Sequence, residues 1–403
     1  MGSDPETGKR RQQWHTVRGI KKDAERALRE LPQSIETGNY VKPHRLTVGE
    51  WLEQWIESYV VLHDSPRTVE NYRSIIRRHL SPALGALLLT GLKPQHLQGY
   101  YAGALRQGRA DGRGGLSAAS VLRQHRVVSR ALSDAVKQGL VARNVAKACE
   151  PPRAARTRMA VMAEEDVPRF LAAARRTPYY VLFYSALYTG LRRGELLGLR
   201  WVDLDLDLAF LSVVQTLQRV AGANLIKEPK SPYSRRRVSL PPSLALLLRE
   251  HQVKQQAQWV VLGKLLKDDD LVFAQPGGAP LGPHTVTHEF ALLLKRAGLP
   301  HIRFHDLRHT HATLMLKAGV HPKVVSERLG HASVAITLDT YSHVAPGLQE
   351  AAAQRFDRML ESPDVSKPLA DLAGPDTSRP RLEAACISPG GRESEPAPCL
   401  TRG

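Results

Sequence analysis

The sequence is poor in cysteine and lacks long apolar runs. Its 403 residues include three cysteines, Cys149, Cys386 and Cys399, which are too scattered to indicate a disulfide framework or a metal motif. No apolar run reaches the ~18 residues that a membrane span needs. The first residues, MGSDPETGKRR, do not have the pattern of a signal peptide. These absences favour a cytoplasmic protein that has no membrane partner.

Several common catalytic motifs are also absent. The sequence contains no P-loop for ATP and no H-E-x-x-H zinc motif. His305, His309 and His311 are close enough in sequence to suggest a zinc site. However, no cysteine lies near them, and Arg308 would hold a fixed positive charge beside the ion. These absences agree with a chemistry that uses no metal, no ATP and no other cofactor.

Acidic residues are scarce relative to basic ones. Lys and Arg total 57 and Asp and Glu total 39, so the formal net charge is +18. The segment from Glu361 onward is slightly acidic, so the excess of positive charge belongs to the preceding part of the chain. The sequence predicts no strongly apolar helix with a basic face, the pattern that would indicate binding to a membrane surface. The charge therefore indicates a polyanionic partner, most simply a nucleic acid.

The length predicts two or three domains, and four segments differ in composition. Residues 1–31 combine a turn, a basic strand-like stretch and a helix, which indicates a small α+β unit. Residues 45–146 are expected to form four short helices. Residues 158–358 mix helices with strand-like stretches, so the predicted fold class is mainly α with a small antiparallel β-sheet. Residues 361–403 are rich in Pro, Gly, Ser and charge and are expected to be disordered.

Strand and helix patterns follow one another along the third segment. The stretches LAFLSVV, QTLQRV, LIKEPK and RRRVSL predict strands separated by turns. Helices are expected at Ser243–Trp259 and His284–Gly298, and a further short strand is expected at LVFAQP, residues 271–276.

The helices of residues 45–146 carry arginine on their outward faces. A charged helix face is usually only solvated, but here arginine exceeds acid, which favours contact with phosphates. The candidate DNA-binding residues are Arg67, Arg73, Arg77, Arg123, Arg126 and Arg130.

The stretch HDLRHTHATLMLKAGVHPKVVSERLGHASVAITLDTYSHV is the most informative part of the chain. It carries four polar residues at constrained spacing: His305, Arg308, His331 and Tyr341. His305 and Arg308 are three residues apart, so they share one face of a helix. Gly319 and Gly330 are expected to end two successive helices as left-handed residues. The spacing therefore predicts that the polar groups gather near helix ends.

This pattern resembles the C-terminal motif of the tyrosine recombinases, the phage-integrase family: H-x-x-R, then L-G-H, then a tyrosine ten residues later. The stretch TGLRRGELLGLRW is similar to the family's first catalytic box, T-G-L-R-x-x-E-L, which places Arg192 at the first catalytic arginine and Glu195 as its supporting residue. The stretch PKSPYSRRRVSLPP is similar to the family's lysine hairpin and places Lys230 at the catalytic lysine. Lys227 is the alternative, because short hairpins blur register by a residue or two.

The resemblance implies a specific chemistry. The six implied catalytic residues are Arg192, Lys230, His305, Arg308, His331 and Tyr341. Tyr341 would attack a DNA phosphodiester and form a 3′-phosphotyrosine, so that strands can be rejoined without ATP. The two arginines would bind the phosphate oxygens, His331 would donate a hydrogen bond to the phosphate, and Lys230 would protonate the leaving oxygen. His305 would help to activate the tyrosine or hold the phosphate.

The resemblance also implies an organisation and partners. The fold would be a two-domain clamp, with residues 45–146 as the core-binding domain, residues 158–358 as the catalytic domain and residues 1–31 as a partial arm-type DNA-binding unit. We expect a site-specific integrase of a phage or integrative element, acting on double-stranded DNA attachment sites as a tetramer. An accessory DNA-bending or directionality factor would fit, as would association with the nucleoid. The alternatives are a chromosome-dimer-resolving recombinase, a type IB topoisomerase and a DNA-binding regulator without activity.

Overall fold

The structure is a computed structural model of the chain. It describes residues 19–22, 25, 28, 41, 44–109, 111–155, 159–228, 234–341 and 348–360. The chain divides into one unit at Met1–Ala345 and a second at Pro346–Gly403. Most of the expected arm-type unit and all of residues 361–403 lie outside the described residues, as does Lys230.

Four helices build the first helical region. Helix α1 (Val48–Trp55) continues through Ile56–Val60 and Val61–His63, and α2 (Pro66–Ile75) continues through Ile76–Leu80 and Ser81–Leu84; α3 is Pro94–Gln107 and α4 is Ala118–Lys137. Thr47 begins α1 as an N-cap whose side chain accepts from the backbone N–H of Glu50, and Ser65 caps α2 in front of Pro66. The four predicted helices are therefore confirmed.

Two tryptophans hold α1 against α4. The indole N–H of Trp51 donates to the carbonyl of Ala131 at 3.1 Å, and that of Trp55 donates to the carboxylate of Asp134 at 2.9 Å. Both rings are buried in an apolar cluster that extends along all four helices. Because each buried N–H has an acceptor, the tryptophans contribute their apolar area without a desolvation penalty.

The following region begins with three helices and five short strands. The helices are α5 (Asp166–Ala174), α6 (Tyr180–Thr189) and α7 (Arg193–Leu197). The strands are β1 (Leu204–Asp205), β2 (Phe210–Val213), β3 (Thr216–Val220), β4 (Ala223–Lys227) and β5 (Arg236–Ser239). Strands β1, β2 and β5 form one antiparallel sheet in that order, with Leu211 opposite Val238, and β3 pairs with β4 as a hairpin. The mainly α class with small antiparallel sheets is confirmed.

Six further helices complete the described chain. They are α8 (Pro242–Val261), α9 (Pro283–Arg296), α10 (Asp306–Lys317), α11 (Pro322–Leu329), α12 (Val334–Tyr341) and, in the second unit, α13 (Leu348–Leu360). Gly319 and Gly330 have φ angles of 76° and 68°, as their predicted helix-ending role requires. Among the described residues, no helix is both long and apolar enough to cross a membrane.

The strand predicted at residues 271–276 is wrong. Only isolated bridges form there, between Arg200 and Leu271 and between Ala274 and Pro280. Leu271, Val272 and Phe273 are all buried. The apolar run therefore reflects a buried loop rather than a strand.

A core of phenylalanines supports the helices that carry the polar residues. Phe170, Phe183, Phe290 and Phe304 pack with ring centroids 5.6–6.3 Å apart. Phe304 lies directly before α10 in the chain, so this packing helps to fix the start of that helix.

A polar contact joins the first helical region to the β3–β4 hairpin. On α2, Glu70 accepts from the backbone N–H of Ala221 at 3.2 Å, and Arg67 donates to the carbonyl of Arg219 at 3.3 Å. Beside this contact lies a cleft of about 650 Å³, whose lining includes Arg192 and His284. The cleft therefore opens between the first helical region and the polar residues of the second.

Candidate active site

The candidate site lies where α6 and α11 end. Gly190 follows α6 and Gly330 follows α11, both with left-handed backbones at φ 65° and 68°. A Cβ on Gly190 would lie 2.6 Å from Cδ2 of His311 and 2.8 Å from Cδ2 of Leu329, so α6 ends in close contact with α10 and α11. The last carbonyls of a helix have no partner within it. These helix ends therefore offer backbone acceptors to neighbouring side chains.

Arg308 uses these acceptors. Its side chain is buried, with the residue 3% exposed, and it donates from Nη1 to the carbonyl of Gly190 at 2.8 Å and from Nη2 to that of Leu329 at 2.6 Å. Burial, and then the nearby charge of Arg192, lower the pKa of Arg308 to about 9. The guanidinium therefore stays charged at neutral pH in a fixed orientation.

Arg192 is held by its own helix and by the end of α11. It is the N-cap of α7, as predicted, and its Nη1 lies 2.6 Å from the carboxylate of Glu195. Its Nη2 donates to the carbonyl of Gly330 at 3.2 Å, and 39% of its side chain remains exposed. Glu195 therefore contacts Arg192 directly, and one side of the guanidinium is open to a ligand.

Arg236 is a third guanidinium at the site, and the sequence patterns did not single it out. It lies on β5, 7% exposed, and donates from Nη2 to Glu195 at 2.9 Å and from Nε to the carbonyl of Arg328 at 2.6 Å. Burial alone would raise the pKa of Glu195, but Arg236 and Arg192 more than offset burial and leave it below its usual value. The single negative charge of Glu195 therefore pairs with two guanidinium groups, those of Arg192 and Arg236.

The charge balance of this cluster is positive. Three guanidiniums, those of Arg192, Arg236 and Arg308, share the single carboxylate of Glu195. Like charges in a partly buried site repel one another, and an anion placed among them relieves that repulsion. Guanidinium groups also match the paired oxygens of a phosphate. The arrangement is therefore suited to binding a phosphate.

Two uncharged histidines border the cluster. Nδ1 of His331 lies 2.8 Å from the hydroxyl of Thr337, which directs Nε2 elsewhere. Burial and the nearby charge of Arg308 lower the pKa of His331 to about 4. Partial desolvation, then His309 and Arg308, also lower the pKa of His305 to about 4, although the residue has an exposed face at the start of α10. Both rings are neutral at pH 7 and can donate one N–H.

Tyr341 ends α12 inside the protein. It is 1% exposed and packs with Leu316, Val325 and Leu329. Burial raises its pKa to about 12, partly offset by the charge of Arg308. Its hydroxyl lies 2.7 Å from Nδ1 of His309. The tyrosine therefore contacts a histidine for which the family motif implied no role.

Two of the three histidines considered as zinc ligands have different partners. His309 contacts Tyr341, whereas His311 bonds through Nδ1 to the carbonyl of Leu187 and accepts from Arg328 at Nε2. These partners hold two of the rings in different directions. The geometry therefore disfavours the zinc site considered from sequence.

The two candidate lysines differ in what the structure describes. Lys227 ends β4 opposite Thr216, whereas Lys230 lies outside the described residues. The assignment of Lys230 as the catalytic lysine therefore stays a prediction.

Most of the candidate DNA-binding arginines lie on the surface. Arg67, Arg77, Arg123 and Arg126 are exposed, and the half-buried Arg73 pairs with exposed Glu57 at 2.7 Å. Arg130 differs from these residues. It pairs with Asp64 at 2.7 Å and lies within 5.9 Å of the ring centroids of Trp55, Tyr59 and Tyr72. These internal partners favour a structural role for Arg130 over a phosphate contact.

Comparison with known families covers both regions of the chain. The model of the Phage integrase family matches residues 160–347, and that of the Phage integrase N-terminal SAM-like domain matches residues 47–104. The chain belongs to the phage integrase family. It is a tyrosine recombinase, an enzyme that transfers DNA strands.

Relatives of this recombinase extend over most of its length. The "Tyrosine recombinase XerC-like" protein of Caldanaerobacter subterraneus subsp. tengcongensis is 28% identical over 84% of this chain and 90% of its own. The ICEBs1 integrase of Bacillus subtilis is 26% identical over 89% of this chain and 96% of its own.

Solved structures support the fold. The Tn1549 transposon integrase in complex with circular intermediate DNA has a TM-score of 0.61 at 21% identity, over 77% of this chain and 99% of that one. A lambda integrase tetramer bound to a Holliday junction has a TM-score of 0.53 at 20% identity, over 82% of this chain and 92% of the lambda integrase chain. The recombinase therefore shares its fold with integrases solved on DNA.

We expect Arg236→Ala to destabilise the recombinase. Glu195 keeps its pair with Arg192, but it loses the buried Arg236, and the carbonyl of Arg328 loses its donor. A buried polar group left without a partner costs about 1–3 kcal/mol. Arg237→Ala on the same strand is the matched control, because Arg237 is exposed and lies over the ring of Phe210, a contact worth about 1 kcal/mol or less. Urea unfolding measures both variants. Equal losses of unfolding free energy would contradict a special role for Arg236.

Proposed function

We propose that this recombinase integrates and excises a mobile genetic element by cutting and rejoining double-stranded DNA at attachment sites. The observation that carries the proposal is the cluster of three arginines around Glu195, close to the buried Tyr341. A nucleophile beside an unneutralised cationic site fits attack on a phosphodiester.

Each side chain has a distinct task in the proposed reaction. The oxygen of Tyr341 attacks the phosphorus and forms a 3′-phosphotyrosine, and the 5′ oxygen of the DNA leaves. Arg192 and Arg308 donate to the non-bridging oxygens, on which negative charge increases in the transition state. His331 donates a further hydrogen bond to the phosphate, and His305 helps to hold it. Lys230 gives a proton to the leaving oxygen.

The arginines neutralise negative charge on the phosphate, a function that metal ions have in many nucleases. Their charge does not depend on pH in the working range, and their five N–H donors are fixed in a plane. The phosphotyrosine keeps the energy of the broken phosphodiester, so the 5′ hydroxyl can reverse the reaction. Neither ATP nor a divalent cation enters this scheme.

We further propose that residues 45–146 and 158–358 close around the duplex as a clamp. The exposed arginines of α2 and α4 contact phosphates on one side of the duplex. The cleft that leads to Arg192 faces the duplex from the other side. Recombination joins two duplexes, and the lambda integrase tetramer on a Holliday junction supports a tetramer here. The arm-type role of residues 1–31, an accessory directionality factor and action at the nucleoid belong to the same proposal.

The direct test is the capture of the covalent intermediate. Sequencing the DNA around the gene identifies a short direct repeat, from which a site nicked near the cleavage position is built. We expect wild-type protein to form an adduct with this DNA on a denaturing gel, with the same yield in EDTA as without it. A strict need for Mg²⁺ or Zn²⁺ contradicts the mechanism. Relaxation of supercoils without a specific site identifies a topoisomerase instead.

A further inference from the structure

The hydroxyl of Tyr341 has a basic neighbour. Nδ1 of His309 lies 2.7 Å from it, and the two ring centroids are 5.7 Å apart. His309 lies on α10, one position after Arg308, and is half-buried. The contact crosses from α10 to α12, so it depends on tertiary packing. A hydrogen bond of this length joins the oxygen that must lose a proton to an atom able to accept one.

The surroundings make this proton difficult to lose unaided. Burial raises the pKa of Tyr341 to about 12, so at pH 7 on the order of one molecule in 10⁵ carries the phenolate. Because Tyr341 is 1% exposed, bulk water has little access to its proton. A base inside the protein is therefore needed for attack at neutral pH.

His309 is in the right protonation state for this task. Burial and the charges of Arg308 and Arg303 lower its pKa, which leaves the ring neutral at pH 7. With the proton of the neutral ring on Nε2, Nδ1 accepts the hydrogen bond from the tyrosine. His305 is placed differently, since its ring stands perpendicular to that of His309 at 5.1 Å and has an exposed face.

We propose that His309 is the general base of the cleavage step, and this inference rests on the proposed function of Tyr341. As the oxygen of Tyr341 bonds to phosphorus, its proton passes to Nδ1 of His309 and the bond from phosphorus to the 5′ oxygen breaks. The 5′ oxygen takes its proton from Lys230. On rejoining, the 5′ hydroxyl attacks, its proton returns to Lys230, and protonated His309 gives its proton back to the tyrosine. No other reactant is consumed.

Several charged or titratable groups surround His309 and enter its pH dependence. They are Arg303, His305, Asp306 and Arg308 on or beside α10, His331 in the turn before α12, and Tyr341 on α12. Burial outweighs the opposing charge of Asp306, so the pKa of His309 stays below its usual value. We therefore expect the wild-type cleavage rate to hold through neutral pH and to fall only in more acidic solution, below the ordinary pKa range of histidine, where His309 becomes protonated.

The variant His309→Asn distinguishes the role of His309 as a proton acceptor from its role as a hydrogen-bond partner of Tyr341. The side-chain oxygen of asparagine can accept the hydrogen bond from Tyr341 but cannot take its proton. We expect the rate of adduct formation at pH 7 to fall on the order of 10²-fold or more, with unchanged DNA affinity. The deficit should shrink as the pH rises, because a larger fraction of Tyr341 is then already ionised and needs no base. His288→Asn, an exposed histidine on α9, is the matched control and should react like wild type.

A more acidic nucleophile supplies the deciding readout. Incorporation of 3,5-difluorotyrosine at position 341 lowers the pKa of the phenol, so its attack needs less help from a base. We expect this residue to restore most of the rate of His309→Asn and to change the wild-type rate far less. A general base predicts this rescue, whereas a packing role for His309 does not.

The outcomes separate this inference from the proposed function. A His309→Asn variant that reacts at the wild-type rate overturns the inference, and so does a slow variant that difluorotyrosine does not rescue. His309→Gln, checked by circular dichroism, guards against misfolding of a single variant. If Tyr341→Phe still forms an adduct, the proposed nucleophile is wrong, and the role of His309 fails with it. If Tyr341→Phe forms no adduct, the proposed nucleophile stands, and the experiments on His309 alone decide whether His309 is the general base.

Discussion

Tyr341→Phe is expected to bind its DNA site with wild-type affinity and to form no covalent adduct. The substitution removes one oxygen, the proposed nucleophile, and leaves the arginines and histidines of the site in place. Phenylalanine also fits the apolar surroundings formed by Leu316, Val325 and Leu329. The variant therefore tests the chemistry without removing the buried ring.

The measurement uses a nicked attachment site in two assays. A gel-shift titration reports binding, and a denaturing gel reports the adduct, for which we expect complete loss. Loss of the hydroxyl also removes the hydrogen bond to His309, which costs about 1 kcal/mol of stability and can be followed by urea unfolding. An adduct with the phenylalanine variant would show that another residue attacks the DNA.

The second large effect is expected from Arg192 and Arg308, the two arginines proposed to bind the phosphate. Arg192→Ala and Arg308→Ala should each slow adduct formation on the order of 10²–10³-fold or more, because each removes a donor to charge that develops in the transition state. Arg308→Lys should recover little of this rate, since an ammonium cannot donate as a planar fork. Arg169→Ala is the charge control. Arg169 forms an exposed ion pair with Asp166, and such pairs contribute little to stability.

The two arginine variants should differ in stability. Arg308→Ala leaves the carbonyls of Gly190 and Leu329 without their partner in a buried place, whereas Arg192→Ala leaves Glu195 paired with Arg236. Unpaired buried acceptors cost about 1–3 kcal/mol each. We therefore expect a larger loss of unfolding free energy for Arg308→Ala. Wild-type cleavage by either folded variant would contradict the assignment.

Local patterns predicted the helices of the site well. Gly319 and Gly330 end helices as their position after periodic apolar residues indicated, and Arg192 begins α7 with Glu195 one turn later. These features depend on residues that are neighbours in sequence, where capping and left-handed glycine have a direct physical basis. Local patterns also predicted the paired strands, but they wrongly predicted a strand for the buried loop at residues 271–276.

Contacts between distant parts of the chain could not be predicted in this way. Arg236 reaches Glu195 across 41 residues and His309 reaches Tyr341 across 32. Neither pair has a spacing that a single helix or hairpin would enforce. A pattern also cannot distinguish an arginine with internal partners, such as Arg130, from one whose side chain lies on the surface. Burial and packing decide such cases.

The use of backbone carbonyls to hold the arginines has a consequence for how this enzyme tolerates mutation. Arg192, Arg236 and Arg308 all donate to main-chain oxygens at the ends of α6 and α11. A carbonyl is present whatever the side chain, so substitutions around the site leave the acceptors intact while the helix ends keep their geometry. Gly190 and Gly330 are exceptions: a side chain at Gly190 would collide with its neighbours, and the left-handed backbone of Gly330 disfavours any side chain. Sequence drift can therefore change many side chains around the site and still leave the backbone acceptors of its three guanidiniums in place.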